Sequence, residues 1–259
     1  MGAVTFNIDP KLIAIIHESL PCQYFVETGT FKGATIELVR QSFPEIYSVE
    51  LSEKHYLDCK EKFKNEPHIT LMHNHSPAAL NLIMNKIQSE SVTYWLDAHW
   101  CAAENTQGEL SQCPLLEELE AIKKLNTQSM IIIDDARLFL TTPPAPHEVS
   151  HWPNFMTIFD KLRELSPVHE LTVVNDCILY YPQSIKEAIQ KYAYEHGVDW
   201  LQTMDKSRDY DKLLQQLYEK EALIQEMAAN KLFTHLNEKE KVIQALMQKL
   251  AALEQAQSV

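Results

Sequence analysis

The chain has 259 residues and a formal net charge of -13, with 36 acidic against 23 basic residues. This surplus of negative charge argues against a nucleic-acid binder or a partner of anionic membranes, since either needs a basic surface. Five scattered cysteines without a CxxC pair favour a reduced, cytoplasmic setting. We identify no signal peptide, and no apolar run approaches the roughly 20 residues that span a bilayer.

Short apolar runs alternate with helical patterns between residues 23 and 135. The predicted strands are 23–28, 46–51, 68–73, 92–97 and 129–135, and the predicted helices between them are 33–43, 52–63, 76–87 and 113–125. This alternation predicts a parallel sheet covered by helices on both faces.

The last part of the sheet has a different pattern. Residues 170–182 contain two β-rich runs joined by Asn175-Asp176, a pair typical of a tight hairpin turn. The last two strands are therefore predicted to be antiparallel to each other. Together these patterns predict an α/β, Rossmann-like sheet of seven strands within a globular domain of residues 1–197.

Residues 198–259 contain neither glycine nor proline and are predicted to form a helical tail. Leucine and isoleucine recur there in a heptad-like stripe, which consists of Leu236, Ile243, Leu246, Leu250 and Leu253. We expect a coiled coil through which copies of the chain self-associate. The alternative is a helix that packs back on its own domain.

A repeat within the tail predicts an irregular coil. The segment "EKEALIQEM" (219–227) recurs as "EKEKVIQAL" (238–246), an offset of 19 residues. Because 19 is not a whole number of heptads, we expect a stutter or a break.

Two of the five glycines lie in "FVETGTFKGAT", between the first predicted strand and the first predicted helix. Gly29 permits a sharp turn, and Gly33 permits close approach of the backbone to a ligand, which is the layout of a dinucleotide-type loop. Glu50 ends the second strand 21 residues after Gly29, about where an acidic residue reaches ribose hydroxyls.

Four segments in order, "VETGTFKGAT", "YSVELS", "TYWLDAHW" and "MIIIDDAR", resemble the class I S-adenosylmethionine-dependent methyltransferases over roughly residues 10–182. The resemblance implies an enzyme that binds S-adenosyl-L-methionine. The cofactor-binding residues that it implies are Glu27, Gly29, Thr30, Gly33, Glu50, Ser76 and Asp97.

The chain departs from that family at two places. Phe31 stands where many members have a further glycine. At the end of the third strand, "HNHS" (73–76) replaces the acidic residue that is common beside the adenine. We therefore expect Ser76 to contact the adenine instead.

Three carboxylates follow neighbouring strands. Asp97 ends the fourth strand, and Asp134 and Asp135 end the fifth, at the edge where open parallel sheets bind ligands. Because these charges repel one another, we expect a divalent cation such as Mg²⁺ among them. The chain also resembles the metal-dependent O-methyltransferases of the catechol and antibiotic-sugar kind, which implies the same three ligands. Alternatively, Asp134 or Asp135 caps a helix, and Asp97 only orders a loop.

His99 follows Asp97 by two residues and is the predicted general base, because an imidazole suits the removal of a hydroxyl proton. The alternatives are a buried polar residue or a metal ligand. A zinc site of His99, Cys101 and Cys113 is disfavoured by irregular spacing and the missing fourth ligand.

Two loops are predicted to wall the acceptor site. One is the proline-rich segment 141–152, with His147, His151 and Trp152 as candidate lining residues. The other is 100–112, where Trp100 is suited to stack on a sugar or aromatic ring.

The combined expectation is a metal-dependent O-methyltransferase that acts on a small-molecule or glycan acceptor, with a sugar hydroxyl favoured over a catechol. Three alternatives stay open. They are a metal-independent methyltransferase with another acceptor, a nicotinamide-dependent oxidoreductase, and a non-catalytic ligand-binding domain on a coiled-coil scaffold. The terminal hairpin argues against the oxidoreductase.

Overall fold

The structure, a computed structural model, describes residues 7–88, 90–100 and 111–257. The chain divides into two compact units, of which the first ends at Val198 and the second begins at Asp199. We call them the head and the tail.

Within the described residues, the head contains a sheet of seven strands in the order β3-β2-β1-β4-β5-β7-β6. The strands are β1 (Tyr24–Thr28), β2 (Glu45–Glu50), β3 (Ile69–His73), β4 (Val92–Leu96), β5 (Met130–Ile133), β6 (His169–Val174) and β7 (Cys177–Pro182). Strands β1 to β5 pair in parallel, and β7 is antiparallel to both β5 and β6. The predicted fold class and the terminal antiparallel pair are confirmed.

The α-helices in the described part of the head are α1 (Pro10–Ser19), α2 (Ala34–Val39), α3 (Glu53–Lys62), α4 (Ser76–Ile87), α5 (Leu115–Ile122), α6 (Arg137–Leu140), α7 (Phe155–Leu165) and α8 (Lys186–His196). Four of them, α1, α6, α7 and α8, were not predicted. Helix α5 is shorter than predicted because Lys123 adopts a left-handed backbone (φ 62°) that ends it.

The central strands are buried on both faces, which is why they read as continuous apolar runs. Phe25 and Trp95 face a core built with α1, α2 and α8. Val26 and Tyr94 face a second core built with α4, α5 and α7. The predicted covering of both faces by helices is confirmed.

The β6–β7 turn ties the hairpin to the end of β5. Asn175 and Asp176 have φ of 52° and 69°, as a two-residue primed turn requires. The carbonyl oxygen of Asp176 accepts the N–H of Ala136 (2.7 Å), and its carboxylate accepts the N–H of Arg137 (2.8 Å). The residues after β5 are therefore fixed by contacts from the hairpin.

Both glycines of the β1–α2 loop have left-handed backbones, with φ of 85° at Gly29 and 69° at Gly33. A Cβ at Gly29 would collide with the carbonyl oxygen of Asp97, and one at Gly33 would lie 2.6 Å from the Phe63 ring. The sharp turn at Gly29 is as predicted. The close approach at Gly33 is to α3, so packing within the protein already requires this glycine.

The tail is one helix, α9 (Trp200–Gln257), of 58 residues. It is continuous, so the break that we expected from the repeat offset does not occur between these residues, and the alternative of a stutter stays a prediction. Large apolar side chains on it are exposed, among them Leu217, Leu236, Ile243 and Leu246. None of the described helices is both long and apolar enough to cross a membrane.

The Gly29→Ala substitution is expected to destabilise the head by about 2–4 kcal/mol, since a left-handed backbone and a backbone collision both oppose the new Cβ. Urea unfolding of the full chain measures this loss. An unchanged unfolding midpoint would show that the loop adopts a different conformation in solution.

Candidate active site

Glu27 lies at the end of β1 and is 1% exposed. It accepts a hydrogen bond from Ser48 of β2, and Ser48 is also hydrogen-bonded to Thr30 in the glycine loop. Burial raises the pKa of Glu27 to about 8; the Ser48 hydrogen bond opposes this rise only in part, and the charge of Asp97 adds to it. Glu27 therefore carries a proton near neutral pH and belongs to a buried network that shapes the loop.

Glu50 ends β2 and uses both carboxylate oxygens on the backbone. One accepts the N–H of Phe31 (2.7 Å), and the other accepts the N–H of Ser52 (2.8 Å). Phe31 has a φ of 47°, so the position where the family often has glycine needs a left-handed backbone here too. Each carboxylate oxygen can accept a further hydrogen bond, so Glu50 can hold the loop and still receive ribose hydroxyls.

Ser76 begins α4 and lies beside Glu118 of α5, a buried carboxyl that the sequence analysis missed. Burial raises the pKa of Glu118, and the nearby hydroxyls of Ser76 and Thr28 lower it only in part. Ser76 Oγ therefore lies close to the Glu118 carboxyl, but neither it nor Glu118 Oε1 has a hydrogen bond of good geometry with a described residue. In the sequence, Glu118 was recognisable as an acidic residue on the apolar face of the predicted helix 113–125.

Three side chains converge between the ends of β4 and β5. Asp97, His99 and Asp135 each offer one ligand atom, and these atoms all lie within 4.8 Å of one another. His99 Nε2 is 2.9 Å from Asp135 Oδ2 and 3.6 Å from Asp97 Oδ1. His99 and Asp135 are buried, whereas Asp97 is partly exposed.

Asp134 is not part of this group. Its Oδ1 accepts the N–H of Asp135 (2.8 Å) and lies 3.6 Å from Cys177 Sγ. Consecutive residues leaving a strand project in different directions, so Asp134 and Asp135 do not face the same point. The structure thus brings together two of the three predicted carboxylates, and His99 takes the third position.

Charge coupling sets the protonation of the group. Burial and the charge of Asp134 raise the pKa of Asp97 to about 7. Burial acts to lower the pKa of His99, but the hydrogen bond to Asp135 and the charge of Asp97 outweigh it and raise that pKa. Burial would raise the pKa of Asp135, yet His99 and Arg137 hold it well below its usual range. His99 and Asp135 therefore form a buried, hydrogen-bonded pair, in which His99 holds a proton more readily than a free imidazole.

Arg137 supplies positive charge that the sequence analysis did not assign. Its Nη1 is 2.6 Å from Asp135 Oδ1, and it also pairs with the carboxylate of Asp176. The repulsion among the acids at this edge is therefore reduced by the protein itself. In the sequence, the position of this arginine two residues after Asp135, in "DDAR", was the feature that pointed to this pairing.

Aromatic rings form a wall beside His99. Its ring makes edge contacts with Phe139 (centroids 5.9 Å apart) and Trp152 (5.6 Å). His147 contacts both Trp152 (5.0 Å) and Trp100 (5.6 Å). The two predicted walls therefore meet at His147.

Gln112 fixes this wall, because its Oε1 accepts the N–H groups of Trp152 (3.0 Å) and Glu148 (2.8 Å). His151 is half-buried and makes none of these ring contacts. The predicted wall residues 101–110 lie outside the described residues, and so does Cys101 of the disfavoured zinc site. Cys113 lies in the apolar core with α4, α5 and α7.

No family profile matches the sequence, and no curated protein sequence matches it. Solved structures do. The O-methyltransferase TomG from Streptomyces achromogenes, in complex with S-adenosylmethionine, is 11% identical, with 67% of this chain and 79% of that chain covered and a TM-score of 0.46. The O-methyltransferase from Bacillus cereus, in complex with S-adenosylhomocysteine, is 12% identical, with 66% and 80% covered and a TM-score of 0.44.

The head has the class I methyltransferase fold. A putative O-methyltransferase from Klebsiella pneumoniae is similar at the same level, with 13% identity, 67% and 79% of the chains covered and a TM-score of 0.44. The fold assignment rests on the strand order of the sheet and on the antiparallel β7.

The raised pKa of Glu27 predicts a pH dependence of stability. The folded state binds the proton more tightly than the unfolded state, so this contribution is complete below about pH 4.5 and is lost as the pH rises towards 8. Glu27→Gln should remove this decline, on the order of 2–4 kcal/mol between about pH 5 and pH 8.

Urea unfolding at a series of pH values measures the effect, with Glu37→Gln on the exposed side of α2 as the matched control. If the Glu27→Gln variant and the wild type lost stability in parallel over this range, Glu27 would not be protonated in the folded state.

Proposed function

We propose that the head is an S-adenosylmethionine-dependent methyltransferase that methylates a hydroxyl group of a sugar, glycan or small natural product. The proposal is supported above all by the largely buried Asp97–His99–Asp135 group directly beside the glycine loop, whose Gly29 abuts the Asp97 carbonyl. A hydroxyl acceptor has to lose its proton as it attacks the methyl carbon, and this group combines an imidazole with two carboxylates for that task.

The polar groups near the loop fit the cofactor. Glu50 retains acceptor capacity for ribose hydroxyls, and the buried Ser76 Oγ is a hydrogen-bonding group without a partner among the described residues. The aromatic wall of Trp100, His147 and Trp152 suits stacking on a sugar or aromatic ring of the acceptor.

The same group fits a divalent cation, with Asp97 and Asp135 as oxygen ligands and His99 Nε2 as the nitrogen ligand. A nitrogen ligand suits Mn²⁺ or Zn²⁺ better than the Mg²⁺ expected from three carboxylates. A cation bound there would supply a Lewis acid that lowers the pKa of an acceptor hydroxyl. Asp134, which is buried and raises the pKa of Asp97, would then act through its charge rather than as a ligand.

A second mechanism needs no metal. Asp135 accepts a hydrogen bond from His99 Nε2, which leaves Nδ1 as the nitrogen able to take a proton from the acceptor. The observation that favours it is Arg137, which already offsets part of the charge of Asp135. His99 cannot serve in both ways at once, because Nε2 either donates to Asp135 or binds a cation.

S-adenosylhomocysteine is expected to stabilise the full chain in a thermal-shift experiment, by about 2.7 kcal/mol at a hundred times its Kd, whereas NAD is not. Glu50→Gln should weaken S-adenosylhomocysteine binding by about tenfold, since a charge-assisted acceptor for ribose hydroxyls is lost. Glu53→Gln on exposed α3 is the control. Stabilisation by NAD alone would overturn the cofactor assignment.

His99→Gln should lower the rate of methyl transfer by about 10²–10⁴-fold under either mechanism. S-adenosylhomocysteine release, measured with a panel of sugars and catechols, reports the rate. Loss of the wild-type rate in EDTA and its recovery with Mn²⁺ would favour the metal-bound form. A rate that is unchanged by EDTA would favour the proton-acceptor form.

We further propose that α9 pairs with α9 of a second copy. At 58 residues it is about 87 Å long. Apolar side chains recur along it at spacings of three, four and seven residues, and Leu236, Ile243 and Leu246 are more than half exposed. A helix this long with an apolar stripe needs a partner surface, and an identical stripe offers one in register.

The double substitution Ile243→Lys and Leu246→Lys is expected to dissociate the assembly, because it places charges within the apolar seam. Analytical ultracentrifugation of the full chain measures the mass. Gln244→Lys with Gln248→Lys adds the same charge beside the seam and should leave the assembly intact. A wild-type chain that sediments as a monomer would contradict the proposal.

A further inference from the structure

Arg137 lies between two buried carboxylates. Its Nη1 is 2.6 Å from Asp135 Oδ1 and also contacts the carboxylate of Asp176. The side chains of Asp135 and Asp176 are 2% and 3% exposed, whereas that of Arg137 is 45% exposed. One guanidinium is therefore shared between the candidate active site and the β6–β7 turn.

The backbone holds Arg137 in this place. Its own N–H donates to Asp176 (2.8 Å), and the N–H of Ala136 donates to the carbonyl oxygen of Asp176 (2.7 Å). Asp176 itself is held by the left-handed hairpin turn. These hydrogen bonds fix the main chain at Arg137 beside the turn, and its guanidinium contacts both carboxylates from that position.

The two oxygens of Asp135 have different partners. Oδ1 faces Arg137, and Oδ2 faces His99 at 2.9 Å. Oδ2 is thus the oxygen of Asp135 that lies beside His99, which belongs with Asp97 to the candidate metal-binding group. A cation bound by that group would therefore receive one oxygen of Asp135 while a fixed positive charge sits on the other.

We propose that Arg137 is an internal cation that shares Asp135 with the divalent-metal site and so limits the affinity of that site, while Asp176 offsets part of its charge. This inference rests on the metal site of the proposed function. It makes Arg137 and Asp176 positioning residues, which act through Asp135 and touch neither cofactor nor acceptor.

The two residues are expected to have opposite effects on cation binding. Arg137→Gln removes a positive charge a few ångströms from the metal position, which should tighten Mn²⁺ binding by about tenfold or more. Asp176→Asn leaves the charge of Arg137 less balanced, which should weaken Mn²⁺ binding by about threefold to tenfold. Asparagine tolerates the left-handed backbone of position 176, so the turn should persist.

Isothermal titration of the full chain with Mn²⁺ alone measures these affinities without requiring turnover. Arg137→Lys keeps the charge and should restore an affinity near that of the wild type. Arg163→Gln, an equal change of charge on the exposed side of α7, is the control and should not alter the affinity. Thermal unfolding of each variant shows that the head is folded.

A purely structural role for Arg137 predicts that both Arg137→Gln and Asp176→Asn weaken Mn²⁺ binding or leave it unchanged, and that result would overturn the inference. If the wild type takes up no Mn²⁺, a gain of binding in Arg137→Gln still supports the inference, and its absence refutes it. The thermal shift with S-adenosylhomocysteine tests the methyltransferase assignment separately, so the two failures are distinguishable.

Discussion

The hydrogen bond between His99 and Asp135 is the interaction on which the rest of the site depends. An unpaired carboxylate with 2% exposure would cost several kcal/mol. Asp135 avoids this cost through His99 on one oxygen and Arg137 on the other. Asp135 has a left-handed backbone (φ 55°), and the hairpin holds Arg137 by accepting its N–H at Asp176. The antiparallel end of the sheet is therefore part of the site's electrostatics.

The other acids at this edge are accommodated in different ways. Glu27 is buried beside a hydroxyl and keeps its proton, as the raised pKa of its carboxyl indicates. The carboxylate of Glu50 is stabilised by hydrogen bonds from two backbone N–H groups. Asp97 is only partly exposed, and its partial burial and the charge of Asp134 raise the pKa of its carboxyl. A cluster of acids at a strand edge thus does not by itself imply one metal, since each carboxyl can be stabilised by its own surroundings.

Local patterns predicted the parallel strands, the terminal hairpin and the sharp turn at Gly29. Each depends on neighbouring residues, such as the apolar run of β5 or the Asn175-Asp176 pair. Helices α1, α7 and α8 were missed, although Asp9 and Asn154 cap α1 and α7 with their side chains. Asp9 and Asn154 are visible in the sequence, but they lie outside the strand–helix alternation of residues 23–135 from which the helices were predicted.

The sequence by itself determined which polar residues lie at the carboxyl edge of the sheet, because strand ends follow from hydrophobic pattern. Only the tertiary structure decided which of them meet. Asp134 and Asp135 are adjacent residues of the same type, so the sequence does not distinguish them. In the structure, the side chain of Asp134 contacts Cys177 and that of Asp135 contacts His99. Arg137 is held in place by a hydrogen bond to Asp176, which is 39 residues away in the chain. Side-chain direction and long-range pairing depend on packing of the whole head, and a linear pattern does not encode them locally.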